Sequence, residues 1–282
     1  KNQQWGVRHG PPYPLDKSVS KQISSGKADS DTKYGFIDPA TLATAFNTVA
    51  PLLPVIPATM AAQTIYENYR DKKRLQKSDE RRQSAQHDSE TGFALKTAES
   101  TAEEDCKAVN PGWGMFGQGN KTNCMYCTTA FELRRRGYDV IADKMDHGGE
   151  NSEIIKEWFP NSKTPTPIGR AYAKNGYDEI DYSAKERLEA LVTRGKEIRD
   201  AARETLFKEP EGSRGNLMVD WTMGSGHSVA YVIENGKPVL YESQLGEVIK
   251  DVDKYLSQSV YAEYVRLDNC EFDKSKLKGV VK

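Results

Sequence analysis

Residues 118–140, QGNKTNCMYCTTAFELRRRGYDV, place a cysteine at the point where a loop passes into a helix. Thr122 and Asn123 are residue types that cap helices, so Cys124 is expected on the first turn of a helix that ends at Gly137. Unpaired backbone N–H groups and the positive end of the helix dipole favour a thiolate there. The stretch predicts a nucleophile, although a free cysteine taken alone is more often a small buried side chain.

The composition gives no general attraction for nucleic acid. Of the 282 residues, 37% are hydrophobic and 29% charged, and 40 basic residues against 41 acidic ones give a formal net charge of -1. No specific nucleic-acid partner is therefore expected. The apolar content is low for this length, which indicates that part of the chain lies outside a packed core. The cysteines are too few and too unevenly spaced for a small disulfide-rich scaffold. They are Cys106, Cys124, Cys127 and Cys270.

Residues 1–37 show no periodicity long enough for a helix or a strand and are interpreted as an extended docking arm. The head of the arm, residues 4–15 (QWGVRHGPPYPL), offers Trp5 as an apolar anchor and Arg8 as a charged fork. Its prolines stiffen the backbone toward polyproline geometry, which lowers the entropic cost of binding a groove. A disordered tail fits the same composition.

This head resembles a short element at the start of minor structural proteins of tailed bacteriophages. The resemblance covers about a dozen residues and carries the wording WGVR and GPPYPL. It implies a virion protein whose partners are other virion proteins of the capsid, portal or neck. It also implies localisation in the virion, with delivery to the bacterial host cytoplasm if the protein is active.

Residues 38–91 are interpreted as an apolar, proline-broken segment followed by a charged helical linker. No charged residue lies between Asp38 and Glu67, a length that could cross a bilayer. Prolines within this run would each remove a helical hydrogen bond, so membrane contact is possible but not favoured. Two short helices broken at the prolines are expected instead. Residues 68–90 carry charges of both signs, which is typical of a solvated helix or spacer.

Residues 92–282 are expected to form the globular domain. The helix that carries Cys124 is followed by a strand over residues 138–142, and the longest helix of the domain ends near Phe207. The last third contains several strands, two of which are joined by Asn235-Gly236, a strong signal for a tight hairpin. The expected fold class is α+β, with a helical half that carries the cysteine and an antiparallel sheet half.

His227 is the candidate base for Cys124, because it begins a strand just after a glycine-rich turn. The next strand carries Glu242 and Gln244 on one face by the two-residue period, and either could accept the second ring N–H of the histidine. Gln118 could donate its amide to an oxyanion beside the backbone N–H of Cys124. Asn123 could do the same, or serve only as a cap.

Together these residues resemble the papain-like cysteine peptidase fold. More closely, residues 123–142 (NCMYCTTAFELRRRGYDVIA) and 224–248 (GSGHSVAYVIENGKPVLYESQLGEV) look like the papain-fold toxin or effector domains of bacterial and phage polymorphic proteins. The resemblance implies Cys124 as nucleophile, His227 as base and Glu242, where the family usually has aspartate, as the orienting acid. It further implies acyl transfer through a thioester on peptide, isopeptide or glutamine amide bonds.

Other interpretations of the two neighbouring cysteines remain. Cys124 and Cys127 could form half of a zinc site or a redox pair, but no second paired unit of ligands accompanies them. No metal or cofactor is expected. Two functional classes stay open: a phage-borne enzyme that modifies a host protein, and a catalytically silent minor virion protein that uses the same fold as a packing or binding module.

Overall fold

A computed structural model describes residues 55–113, 120–145, 152–169, 184–221 and 226–282. Within these ranges, the helices are α1 (Val55–Ser84), α2 (Ala102–Ala108), α3 (Cys124–Arg135), α4 (Ile155–Trp158), α5 (Ala184–Glu204), α6 (Val252–Leu256) and α7 (Lys274–Leu277). Single 3₁₀ turns cover Ser152–Ile154 and Leu206–Lys208. The strands are β1 (Thr166–Pro167), β2 (Arg214–Trp221), β3 (Gly226–Glu234), β4 (Lys237–Glu242), β5 (Glu247–Ile249) and β6 (Ser259–Arg266).

In the described part of the chain, the strands form one sheet of order β1-β6-β2-β3-β4-β5, in which all neighbours are antiparallel. The central hairpin joins β3 to β4 through Asn235 and Gly236, whose φ angles are 55° and 71°. Two positive φ angles match the turn twist to the strand twist, and asparagine and glycine adopt them most readily. The predicted hairpin is confirmed, with β4 at the expected Lys237–Glu242.

Hydrophobic side chains cover both faces of the sheet, because successive residues of a strand point to opposite faces. On β2, Met218 belongs to the cluster that packs around α3, and Leu217 and Val219 belong to the cluster that packs around α5. Phe131 of α3 stacks on Tyr241 of β4 with ring centroids 5.1 Å apart. The α3 helix that begins at the cysteine is thus fixed directly against the hairpin.

This arrangement is α+β with a papain-like fold, as expected. Residues from Asn68 to Lys282 group into one compact unit, so the charged stretch after residue 67 contacts the domain and is more than a spacer. Arg81 of α1 donates two hydrogen bonds to Asp139, from Nε at 2.6 Å and from Nη2 at 2.8 Å. The described residues 55–67, at the start of α1, belong to a separate unit.

The helix α1 corrects the expected break at Pro57, whereas Pro51 and Pro54, where the other breaks between short helices were expected, lie outside the described residues. A single helix runs from Val55 to Ser84 and includes Pro57. Proline is tolerated there because the backbone N–H groups of a first helical turn have no partner within the helix. No helix among the described residues is long and apolar enough to cross a membrane. Residues 1–54, which hold the proposed arm and most of the apolar segment, lie outside the described residues.

The strand expected over residues 138–142 is absent. Gly137 ends α3 with φ 97°, as its position predicted. The chain beyond it pairs only through isolated bridges, from Tyr138 to Leu95 and from Ala142 to Val281. These partners come from separate segments, so no continuous ladder forms.

Candidate active site

Cys124 is the first residue of α3, and the side chains before it hold the preceding loop. Asn123 makes no capping hydrogen bond: its Oδ1 accepts from Nε2 of Gln244 at 3.3 Å and from the Cys127 thiol at 3.4 Å, and its Nδ2 donates to the carbonyl oxygen of Asp143 at 2.9 Å. The hydroxyl of Thr122 donates to the carbonyl oxygen of Met145 at 3.0 Å. The cap expected from Asn123 is therefore absent. The first-turn backbone N–H groups and the positive end of the helix dipole lie beside Cys124, where they favour negative charge.

His227 and Glu242 meet on adjacent strands of the hairpin. The hairpin register pairs Ala230 with Tyr241, which brings the end of β4 beside the start of β3. Nε2 of His227 lies 2.5 Å from Oε2 of Glu242, and the two residues are 7% and 0% exposed. A carboxylate in this position fixes the orientation of the ring and stabilises its protonated form.

Cys124 lies close enough to the His227 ring that its side chain acts on the pKa of the imidazole, through hydrogen bonding and through charge. Because Nε2 is occupied by Glu242, we assign this contact to Nδ1. Burial acts to lower the pKa of His227, but the charge of Glu242 and the hydrogen bonds with Cys124 and Glu242 outweigh it and raise the pKa to about 10. The ring is therefore an imidazolium at neutral pH, held between a sulfur and a carboxylate.

Cys124 differs from the other three cysteines in its access to solvent. All four thiols are free, and Cys124 alone of them is partly exposed. Burial raises the pKa of both Cys106 and Cys127, which keeps these thiols protonated and unreactive. Cys127 points into the interior and donates its S–H to Oδ1 of Asn123 at 3.4 Å. The structure thus distinguishes one candidate nucleophile from three interior thiols.

A comparison with known protein families bears on the residues of this site. Residues 122–247 match the family model described as papain fold toxin 1, glutamine deamidase. The matched segment contains Cys124, His227 and Glu242, and the papain-fold toxin domains are accordingly what this part of the chain is similar to. No curated protein and no solved structure gives a significant match.

The sequence predicts a side-chain hydrogen-bond donor for the oxyanion beside Cys124. Gln118 lies outside the described residues, so its role as an oxyanion donor stays a prediction. The amide of Asn120 donates one hydrogen bond to the carbonyl oxygen of Gly112 at 3.0 Å, and the amide of Asn123 donates one to the carbonyl oxygen of Asp143 at 2.9 Å. Among the described residues, the backbone N–H groups at the start of α3 are candidate oxyanion donors beside the thiol. Trp5 and Arg8, the expected docking residues, also lie outside the described residues.

Gln244 does not lie on β4 as expected, because the strand ends at Glu242. Gly246 N–H closes a turn onto the Glu242 carbonyl at 2.8 Å, with φ 76° at Gly246. The backbone N–H of Gln244 then donates to Oε1 of Glu242 at 3.2 Å, and its Nε2 donates to Oδ1 of Asn123 at 3.3 Å. Gln244 and Asn123 are 2% and 0% exposed, so the structure places these two predicted binding residues behind the site rather than at its surface.

A buried hydrogen bond links the helix that carries Cys124 to the strand that carries His227, and the sequence analysis did not identify it. Thr128 lies one helical turn after Cys124, and Ser228 follows His227. Their hydroxyl oxygens are 3.2 Å apart and buried. The spacing of four residues on a helix, which places Thr128 on the same face as Cys124, is the signal that could have identified one partner. Its contact with Ser228 depends on the tertiary fold.

No cluster of three or more histidine, cysteine or acidic side chains among the described residues is arranged to hold a metal ion. The zinc interpretation of Cys124 and Cys127 therefore finds no ligand set in that part of the chain.

Proposed function

We propose that the papain-like domain is a cysteine amidohydrolase that deamidates glutamine side chains of proteins. The observation that carries the proposal is the position of His227 between Cys124 and Glu242. A partly exposed thiol at a helix start, an imidazolium beside it and a buried carboxylate behind the ring form the set of groups that thioester chemistry requires. The similarity of residues 122–247 to a glutamine deamidase family favours the glutamine amide over the peptide bond.

The first half of the reaction forms the thioester. The Cys124 thiolate attacks the side-chain carbonyl carbon of the substrate glutamine, and a sulfur–carbon bond forms as the carbonyl oxygen takes up the negative charge. Backbone N–H groups at the start of α3 stabilise this oxyanion. The intermediate collapses when His227 gives its proton to the amide nitrogen. The carbon–nitrogen bond breaks and ammonia leaves.

The second half hydrolyses the thioester. Neutral His227 takes a proton from a water molecule, whose oxygen attacks the acyl carbon. The carbon–sulfur bond breaks, glutamate is released and the thiolate–imidazolium pair is restored. Formation of the thioester removes the charge and hydrogen bond of Cys124, two of the contributions that raise the pKa of His227. The pKa of His227 is therefore lower in the thioester intermediate than in the resting enzyme, and the neutral imidazole can act as the base for water.

Substrate tests distinguish hydrolysis of peptide, isopeptide and glutamine side-chain amide bonds, which all pass through a thioester intermediate. The purified protein is incubated with candidate host proteins and glutamine peptides. We expect equimolar ammonia and the mass gain produced by exchange of –NH₂ for –OH, both lost in Cys124→Ser and retained in the matched thiol control Cys270→Ser. Peptide fragments or release of a conjugated amine without ammonia would contradict glutamine deamidation in favour of peptide or isopeptide cleavage.

The rate at which Cys124 is alkylated distinguishes an enzyme from a catalytically silent module, and the measurement needs no substrate. We expect iodoacetamide to modify one thiol, Cys124, at mildly acidic pH faster than an ordinary thiol, because the imidazolium of His227 stabilises the thiolate. His227→Ala should abolish this advantage. A rate equal to that of an ordinary thiol in the wild type would favour the catalytically silent packing or binding module and refute the proposed function.

We also propose that the chain is a tailed-phage virion protein that docks on other virion proteins and acts in the host cytoplasm after delivery. This rests on the resemblance of residues 4–15 to the start of phage minor structural proteins. Deletion of residues 1–35 should abolish incorporation into the virion while Cys124 remains reactive. Normal incorporation of the truncated chain would overturn the docking role of Trp5 and Arg8.

A further inference from the structure

Asn110 lies in the turn after α2, on a segment that precedes the family match at residues 122–247. It is 8% exposed, and its carbonyl oxygen accepts a hydrogen bond from Trp113 N–H at 3.3 Å, which closes the turn. The helix before it begins with a capping box formed by Thr101 and Glu104. Asn110 therefore has a fixed backbone and a side chain directed into the interior.

The amide of Asn110 is matched to its surroundings. An asparagine –NH₂ has two N–H donors. Nδ2 of Asn110 lies 2.8 Å from the carbonyl oxygen of Asn120 and 3.1 Å from the carbonyl oxygen of Gln244, and a longer contact of 3.5 Å reaches Oδ1 of Asn123. Two donors thus satisfy two backbone carbonyls. Any side chain that lacks an –NH₂ group leaves both carbonyls without these bonds.

The two carbonyls belong to the two loops that carry the reactive groups. Asn120 lies four residues before Cys124, in the loop that leads into α3. Gln244 lies two residues after Glu242, and its N–H bonds the Oε1 of that carboxylate at 3.2 Å. One side chain therefore joins the nucleophile loop to the turn that supports the carboxylate, through main-chain atoms on both sides.

We propose that Asn110 is a positioning residue that sets the separation between Cys124 and the His227–Glu242 pair. This inference rests on the proposed function. Asn110 contacts neither the thiol nor the ring among its hydrogen bonds, so it acts through the two loops. Catalytic groups lose much of their effect when displaced by about 1 Å, and a link between loops is a direct way to prevent that displacement.

The test measures Cys124 alkylation at mildly acidic pH and steady-state deamidation in Asn110→Ala. We expect the alkylation rate to fall toward that of an ordinary thiol and kcat to fall by about 10- to 100-fold, with little change in KM, because the residue orients reacting groups and does not bind substrate. Asn110→Asp keeps the size of the side chain but places oxygen against the two carbonyl oxygens. It should lower the same two rates.

The matched control is Ile198→Val or Ile198→Ala, whichever lowers the melting temperature as much as Asn110→Ala. Ile198 is a buried residue of α5 in the cluster on the other face of the sheet. We expect the control to keep the rapid alkylation and the kcat of the wild type. An equal loss in the control would show that Asn110 acts through global stability and would overturn the inference.

The outcomes also separate this inference from the proposed function. A wild-type Cys124 that reacts as an ordinary thiol contradicts the function itself. Rapid alkylation in the wild type together with unchanged alkylation in Asn110→Ala contradicts the positioning role alone. If Asn110→Ala does not fold, the comparison passes to Asn110→Asp, and wild-type rates in that variant overturn the inference.

Discussion

Replacement of Glu242 by glutamine separates orientation of the imidazole from stabilisation of its proton. The carboxylate is 0% exposed and its Oε2 lies 2.5 Å from Nε2 of His227. Glutamine has nearly the same shape and carries no charge; with its amide oxygen toward the ring it still accepts that hydrogen bond, and its –NH₂ takes the place of Oε1 beside the backbone N–H of Gln244. We expect the His227 ring to keep its position and its pKa to fall.

The magnitude follows from the titration of His227. Burial disfavours the imidazolium, but the charge of Glu242 and the hydrogen bonds with Cys124 and Glu242 raise the pKa from 6.5 to about 10. Since each pKa unit corresponds to about 1.4 kcal/mol, the surroundings favour the protonated ring by about 5 kcal/mol. A close opposite charge accounts for about 1 to 3 pH units of such an effect, so the ring in Glu242→Gln should lose its proton that much earlier as pH rises.

The assay is NMR titration of the His227 ring nitrogens, with deamidation measured over the same pH range. The alkaline limb of kcat should move down in pH with the titration, because the imidazolium supplies the proton to the leaving ammonia. The matched control is Glu234→Gln in the same hairpin, whose carboxylate accepts a hydrogen bond from the Tyr241 hydroxyl at 2.6 Å. If the ring of Glu242→Gln keeps its proton to the same pH as the wild type, the reasoning is refuted.

Two further predictions follow from the same site. The free energy of unfolding should fall by at most about 1.4 kcal/mol per pH unit as pH rises from 6.5 toward 10, because native His227 keeps a proton that the unfolded chain releases. Denaturant titrations across this range measure the slope, and a His227→Gln variant with an unchanged slope would contradict the assignment. Thr128→Val, similar in volume, leaves the buried hydroxyl of Ser228 without its partner at 3.2 Å. It should cost about 1 to 3 kcal/mol of stability by thermal unfolding and slow alkylation of Cys124; unaltered alkylation would limit this contact to a structural role.

The pairing of His227 with Glu242 could be predicted because the signals that place it are local. Asn235-Gly236 sets the turn, the turn sets the register of β3 and β4, and the register brings the two side chains together. The end of α3 at Gly137 likewise follows from a local signal, the glycine itself. Such features depend on short stretches of backbone and need little tertiary information.

The other features of the site depend on distant contacts. Asn110 meets Gln244 across 134 residues of sequence, and nothing in the spacing of either residue indicates the other. Asn123 is a residue type that caps helices, but its Oδ1 accepts hydrogen bonds from Nε2 of Gln244 and from the Cys127 thiol in place of the first-turn N–H groups. The two-residue period of a strand placed Gln244 on the same face as Glu242, but a turn after Glu242 ends the strand before Gln244. At Asn123 a tertiary hydrogen bond outweighs a local preference.

The hairpin that joins His227 and Glu242 also has a consequence for the order of folding. These residues are 15 positions apart, whereas Thr128 and Ser228, which tie the cysteine helix to the same strand, are 100 apart. Closure of a longer loop costs more entropy, so we expect the hairpin to form before α3 docks on it. The chain would then become reactive only at the end of folding. Pulsed alkylation during refolding should show Cys124 reaching its native rate after the hairpin amides are protected from exchange, and the reverse order would contradict this sequence of events.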